Sequence, residues 1–245
     1  MLPDVPPDWV EAARRIAAPD IRCVLVLGPT DSGKSTLCRF LLRVASARDP
    51  ALLDTDPAQK LVGPPACVTF GRRGADGEPA LSALAFLSTL DPLRGWWRLV
   101  AGTERLAVEA TAGLLLVNTS GLLRSAGRRL KAAKIAAVGP DLLLALGEDP
   151  GLEKVLADHP AIPALRLPRP PLVRRKGEGE RRALRQGETW RSGSCWTRTR
   201  QAGCCCAPRR RKLPWPGCAG GALRLEEGYG EARAVTPRPA PPPSR

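Results

Sequence analysis

A three-layer α/β/α sandwich on a mainly parallel sheet is the fold class this sequence predicts, and three observations predict it. Short apolar runs alternate with segments of helical period from residue 21 to residue 167. The first of these runs passes directly into a glycine-rich loop that opens a helix. Composition then breaks near residue 187, leaving a unit of ordinary domain size before it.

Each element follows in order. Residues 21–27 (Ile-Arg-Cys-Val-Leu-Val-Leu) read as a buried parallel strand. Next comes Gly28-Pro29-Thr30-Asp31-Ser32-Gly33-Lys34-Ser35-Thr36, the complete Gly-x4-Gly-Lys-Ser/Thr pattern of a P-loop nucleotide triphosphatase. Gly28 and Gly33 permit backbone angles that turn successive N–H groups inward, so residues 28–36 make a nest for phosphate at a helix N-terminus. Lys34 would reach the β- and γ-phosphates, and the Ser35 hydroxyl would ligate Mg²⁺. Leu37, Phe40, Leu41 and Val44 give the following helix one apolar stripe.

Residues 51–59 form a second apolar run ending in Asp54 and Asp56, at the strand end where open parallel sheets bind ligands. Either carboxylate is a candidate for the Mg²⁺ shell or for taking a proton from an attacking hydroxyl. The alternative is that one of them caps the following turn. Residues 97–110 predict a helix, 113–119 a strand, 122–138 a basic helix, 141–146 a strand, 152–157 a short helix and 162–167 a last strand.

Of the formal net charge of +14, half falls in residues 187–245, which carry 11 basic and 4 acidic side chains. The excess favours a polyanionic partner. The runs Arg124, Arg128, Arg129, Lys131, Lys134 and Arg166, Arg169, Arg174, Arg175, Lys176 would either track a nucleic-acid backbone or form solvated faces. Trp96 and Trp97 read as core residues, with base stacking as the alternative. The only histidine, His159, excludes a His-x3-His zinc site and reads as a surface loop residue. Cys23, Cys38 and Cys67 lie in or beside apolar segments, which predicts a reducing compartment: cytoplasmic, or nuclear in a eukaryote. Charges throughout residues 1–20 argue against a signal peptide. No window reaches 18 uninterrupted apolar residues, so no membrane span or membrane partner is expected.

Four motifs together resemble one family, the P-loop polynucleotide 5′-hydroxyl kinases of pre-mRNA cleavage and ribosomal RNA processing, over roughly residues 20–186. The loop at 28–36 is close to that family's own version. Asp54-Thr55-Asp56-Pro57-Ala58-Gln59 is similar to its Asp-x-Asp-x-Gly-Gln segment, with Ala58 in place of Gly. Asn118-Thr119-Ser120-Gly121-Leu122 resembles its Asn-Thr-x-Gly-Trp clasp, with Leu122 in place of Trp. Arg181-Arg182-Ala183-Leu184-Arg185 resembles its Arg-x-x-x-Arg lid. The resemblance implies transfer of the γ-phosphate of ATP or GTP, with Mg²⁺, to the 5′-hydroxyl end of single-stranded or end-exposed RNA or DNA. It gives catalytic roles to Lys34, Asp56, Gln59, Arg181 and Arg185, metal contacts to Ser35, Asp54 and Asp56, and substrate contacts to Thr119, Gly121 and Leu122.

The expected organisation is therefore a P-loop kinase domain over residues 1–186, with its lid at about 174–186, and a basic Cys/Trp/Pro-rich tail at 187–245. The first strand is expected almost at the start of the chain, with the N-terminal domain of larger family members expected to be lacking. The tail holds only four Leu, Ile or Val residues, too few to offset the entropy of ordering it, which predicts disorder or a shifted reading frame. Two other functions fit the phosphate loop: a P-loop ATPase or GTPase switch, and a truncated remnant that binds nucleotide without turnover. No Asn-Lys-x-Asp base-reading motif supports a GTPase.

Overall fold

Strand β1 (Cys23–Leu27) has all five residues buried and is paired in parallel on both sides, with β5 (Leu114–Asn118) and β6 (Leu142–Leu146). It is an interior strand of a seven-stranded sheet described in a computed structural model, whose described residues are 5–170 with Gly177 and Gly179. The expected lid, with Arg181 and Arg185, the boundary near 187, the tail, and Arg174, Arg175 and Lys176 all lie outside these residues. β2 (Pro50–Asp54) joins β5 in parallel, and β7 (Ala164–Leu167) joins β6 in parallel. An antiparallel hairpin, β3 (Cys67–Arg73) and β4 (Pro79–Phe86), completes the edge beside β2, giving the order β4-β3-β2-β5-β1-β6-β7.

Alternation along the strands divides the core in two. Val24, Val26, Leu114, Leu116, Leu142 and Leu144 face one layer. There they meet α1 (Pro7–Ala17), through Trp9, Ala12 and Ile16, and α2 (Lys34–Val44), through Leu37, Cys38, Leu41 and Leu42. Leu25, Leu27, Leu115, Val117, Leu143 and Ala145 face the other, covered by α3 (Trp96–Glu109), α4 (Ala126–Val138) and α5 (Pro150–Ala157). Strands buried on both faces explain the continuous apolar runs. The three-layer, mainly parallel sandwich is present.

Four local expectations change. Helix α1 falls in a segment given no element by its mixed charges; its apolar residues recur at helical spacing, and Pro7 starts it at the first helical position. The β3–β4 hairpin is also new, turning at Gly74-Ala75-Asp76-Gly77, where Gly77 has φ +79° and the Asp76 side chain accepts from the Glu78 N–H. α4 starts at Ala126 instead of 122, because residues 119–125 first run past the phosphate loop. Trp96 packs on the core, whereas Trp97 is 83% exposed.

Candidate active site

The carboxyl ends of β1, β2 and β5 converge where the chain reverses its direction of travel across the sheet, the position at which open α/β sheets bind ligands. Between β1 and α2 runs the glycine-rich loop. Gly28 has φ +153°, and a Cβ there would stand 2.5 Å from the Leu146 carbonyl oxygen. Gly33, at φ +100°, precedes the first turn of α2 and turns the chain into it. Lys34 is buried, and its Nζ donates to the carbonyls of Gly28 (3.0 Å) and Pro29 (2.7 Å), reaching back over the loop.

A cavity of about 1000 Å³ opens on this loop. Residues 30–36 form its floor, Asp56 and Gln59 one wall, and Asn118, Thr119 and Gly121 another. The first turn of α1 and Pro168–Arg169–Pro170 close the remaining side. Two of its lining groups, Ser32 Oγ and Asn118 Oδ1, are buried without a hydrogen-bond partner among the described residues. Buried polar atoms in native proteins are nearly always satisfied, so such a pair in one cavity points to a polar ligand. Ser32 Oγ and the inward N–H groups of the loop can donate to a nucleotide polyphosphate, whereas Asn118 Oδ1 accepts and suits a hydroxyl-bearing group.

The two acidic residues at the end of β2 differ in role. Asp54 is fully buried, and its carboxylate is taken up by the protein. Oδ1 accepts from Asn118 Nδ2 (3.0 Å) and the Asp56 N–H (3.2 Å), while Oδ2 accepts from the Leu61 N–H (2.6 Å) and pairs with the buried Lys60 (3.3 Å). Asp54, expected in the metal shell or as a proton acceptor, has both oxygens engaged by the protein and ties β2, β5 and the loop at 55–66 together. Removing either partner of such a buried pair leaves an uncompensated charge. Asp56 is half-buried in the cavity wall; its Oδ1 accepts from the Ala58 (2.9 Å) and Gln59 (3.1 Å) N–H groups, and neither bond uses Oδ2. The turn-capping alternative therefore also holds for Asp56, through one oxygen only.

On the β5 side, Thr119 donates to the Val26 carbonyl (2.8 Å), fixing the turn to β1. Gly121 lies against the phosphate loop so closely that a Cβ would stand 2.4 Å from the Thr30 nitrogen. Backbone cannot yield to that contact, so Gly121→Ala is expected to weaken nucleotide binding about tenfold or more by shifting the loop. A fluorescent-nucleotide titration checks this, with circular dichroism confirming the fold. Leu122 is 39% exposed and is not among the residues that line the cavity.

Among the described residues, several members of the basic runs are paired with acidic side chains. Arg124 pairs with Asp149 at 3.8 Å, Arg128 with Asp158, and Arg166 with Glu153 at 2.8 Å. Lys131 and Lys134 are neither solvated nor free to meet a backbone: both are fully buried. Lys134 donates to Thr55 O (2.8 Å) and Thr55 Oγ1 (2.9 Å), and Lys131 to Ser120 O and Ser120 Oγ. Burial pushes the Lys134 amine down to about 8, opposed by the Asp56 and Asp54 carboxylates. Burial pushes Lys131 well down too, aided by the charges of Lys134 and Lys34. The missed signal was their register: Gly127, Leu130, Lys131, Lys134 and Ile135 make one buried stripe, with lysine where an apolar residue is expected.

Cys23, Cys38 and Cys67 are buried, as expected of structural cysteines. Burial pushes the Cys23 thiol up to about 12, with the Asp141 carboxylate adding to it, and raises Cys38 as well. At about pH 8.5, where an ordinary thiol is half ionised, alkylation followed by peptide mapping is expected to leave Cys23 and Cys38 unlabelled until denaturant is added. His159 is half-buried in the turn after α5, and its Nε2 has no partner among the described residues.

A nucleotide-sized cavity over a glycine-rich loop, at the switch point of a parallel sheet, defines a P-loop nucleotide-binding protein. Residues 28–191 match the family model described as mRNA cleavage and polyadenylation factor CLP1 P-loop, and the chain belongs to that family. A polyribonucleotide 5′-hydroxyl-kinase of Pyrococcus furiosus is 32% identical over 199 residues, covering 77% of this chain and 55% of that protein. A Xenopus tropicalis polyribonucleotide 5′-hydroxyl-kinase, Clp1, is 32% identical over 155 residues, 56% of this chain and 36% of that one. The chain thus spans about half the length, or less, of these curated relatives. The wild-type Clp1p–Pcf11p complex contains a chain of the same fold, with TM-score 0.57 and 16% identity over 74% of this chain and 51% of that one.

Proposed function

We propose that this protein is an ATP-dependent polynucleotide 5′-hydroxyl kinase. The observation that carries the reading is the meeting of three segments in one cavity: the phosphate loop, Asp56 with an oxygen left over from its turn, and the Asn118–Gly121 turn pressed against Thr30. A nucleotide switch needs the first segment alone; transfer to an acceptor needs a carboxylate and an acceptor wall facing it. The names of the relatives, polyribonucleotide 5′-hydroxyl-kinases, support the same reaction and favour RNA over DNA as acceptor.

In this reading the inward N–H groups of residues 28–36 hold the β-phosphate, and Lys34 turns from the loop carbonyls towards the γ-phosphate. ATP is the donor, with GTP as the alternative. Ser35 and Asp56 would hold Mg²⁺, which would supply charge neutralisation on the phosphates when bound. Asp54 supports them from behind. Asp56 orients the acceptor 5′-hydroxyl and takes its proton, and Gln59 beside it orders water. The Asn118 amide has its Nδ2 fixed on Asp54, which leaves Oδ1 as an acceptor at the cavity. Arg181 and Arg185 would close on the transferring phosphate.

The acceptor strand would leave the cavity towards the β3–β4 edge. Gly95, the residue before α3, packs beside Leu87 just past the end of β4, so exposed Trp97 and its neighbours Arg94 and Arg98 stand at the same end of the sheet as Asp56. A ring stacked on a base there contributes about 1–3 kcal/mol. Trp97→Ala is expected to raise the oligonucleotide KM about tenfold with kcat unchanged, measured by initial rates. Buried thiols suit a reducing compartment, and we assign the protein to the cytoplasm, or to the nucleus of a eukaryote. No helix among the described residues is long and apolar enough to cross a membrane.

The test is incubation of the full chain with γ-labelled ATP, Mg²⁺ and a 5′-hydroxyl oligoribonucleotide. Label on the oligonucleotide 5′ end supports the kinase. Release of phosphate without transfer supports the switch, and binding without turnover supports the remnant.

A further inference from the structure

Helix α4 lies behind the site and supplies no group to the cavity, yet it places two lysine amines directly beneath it. Both side chains are fully buried, three residues apart, on the stripe that otherwise packs Leu130 and Ile135 into the core. Burying an amine is unfavourable unless its hydrogen bonds are met, so two in one stripe call for a purpose beyond packing. Their partners name it. Lys134 holds both oxygens of Thr55, the residue between Asp54 and Asp56. Lys131 holds both oxygens of Ser120, the residue between Thr119 and Gly121.

The segments that carry the two partners are joined at Asn118. Thr55 bonds the Asn118 carbonyl twice, through its N–H (3.0 Å) and its Oγ1 (2.7 Å). Thr119 in turn donates to Val26 of β1. Hydrogen bonds at Thr55, Thr119 and Ser120, linked by the backbone of residues 118–120, therefore tie α4 to the ends of β2 and β5 and to β1, where the phosphate loop begins. The partners of the two amines are all neutral oxygens, so neither lysine replaces the Lys60–Asp54 pair next to them.

We propose that Lys131 and Lys134 are positioning residues for phosphoryl transfer: acting through Ser120 and Thr55, they fix the Asp56 turn and the Asn118–Gly121 turn in one register against the phosphate loop. The proposal rests on the kinase reading of this site. The amines bind neither nucleotide nor acceptor; they set the distance between the carboxylate and the transferring phosphate. Misplacement of a reacting group by about 1 Å costs on the order of 10²-fold in rate, so the effect belongs in kcat.

Two variants of the full chain test it. Lys134→Met keeps the volume and removes the donor; Lys134→Gln keeps a donor without the charge. Lys134→Met is expected to lower kcat about 100-fold, with nucleotide affinity and oligonucleotide KM essentially unchanged, and Lys134→Gln to recover roughly tenfold of that loss. Hydrogen exchange supplies a readout independent of turnover. The Ala58, Gln59 and Leu61 amides, bonded to Asp56 and Asp54, should lose protection in Lys134→Met while β1 and β6 keep theirs. Full kcat in Lys134→Met overturns the proposal, as does a fall in kcat matched by equal loss of nucleotide affinity and of protection throughout the sheet. If the unmodified chain transfers no phosphate, the kinase reading fails, and unchanged exchange in the 54–61 loop would then overturn this one separately.

Discussion

Lys34→Ala is expected to reduce phosphoryl transfer by about two to three orders of magnitude or more. The side chain is almost entirely buried, and its amine already lies along the carbonyls of Gly28 and Pro29. Swinging it from those carbonyls to a phosphate exchanges neutral acceptors for charged ones, and charge-assisted hydrogen bonds are roughly twice as strong. The charge building on the transferring group meets this cation in a site sheltered from water, where it counts for more than in solution. Single-turnover transfer rates, set beside a nucleotide titration, separate the two parts of the effect. A modest loss of nucleotide affinity with a large loss of rate is the expected pattern.

Asp56→Asn is expected to lower kcat by about 10²- to 10⁴-fold while leaving nucleotide affinity nearly intact. The substitution is structurally mild. The asparagine Oδ1 can keep the bonds from the Ala58 and Gln59 N–H groups, so the turn survives. What disappears is the second oxygen, the one that takes no part in the turn, and with it the negative charge at the cavity wall. Asp54→Asn should behave differently. Its four partners are all within the protein, so the variant is expected to lose thermal stability as well as activity, read as a lower melting midpoint by calorimetry.

Much of this was legible in the sequence because two-sided burial leaves a simple trace. β1, β5 and β6 appear as uninterrupted apolar runs, and the glycine-lysine loop between β1 and α2 announces both a helix start and a phosphate site. The β3–β4 hairpin was less visible because it lies at the sheet edge. Most of β4 is only half-buried, so its run Pro79–Phe86 shows neither full apolarity nor clean alternation. α1 was hidden by charged residues at its exposed positions, although Trp9, Ala12 and Ile16 keep helical spacing.

The site divides in the same way. Lys34, Asp56, Gln59, Thr119 and Gly121 meet at one cavity as their motifs implied. Asp54 and Asp56 are two residues apart and chemically alike, and only tertiary contacts with Asn118, Lys60 and Leu61 separate a structural carboxylate from an available one. Lys131 and Lys134 read as surface charge because lysine in a run without acidic residues ordinarily is surface charge. Their true surroundings depend on oxygens at Thr55 and Ser120, which pairwise sequence spacing does not connect to α4.

The most direct test of the account uses two oligoribonucleotides of one sequence, one ending in a 5′-hydroxyl and the other in a 5′-phosphate, each incubated with the full chain and Mg²⁺-ATP and then weighed by mass spectrometry. The account predicts that the 5′-hydroxyl strand alone gains the mass of one phosphoryl group, on its first nucleotide, and that the Lys34→Ala chain adds none. Equal ATP consumption with and without the 5′-hydroxyl strand, and no gain of mass on it, would contradict the account.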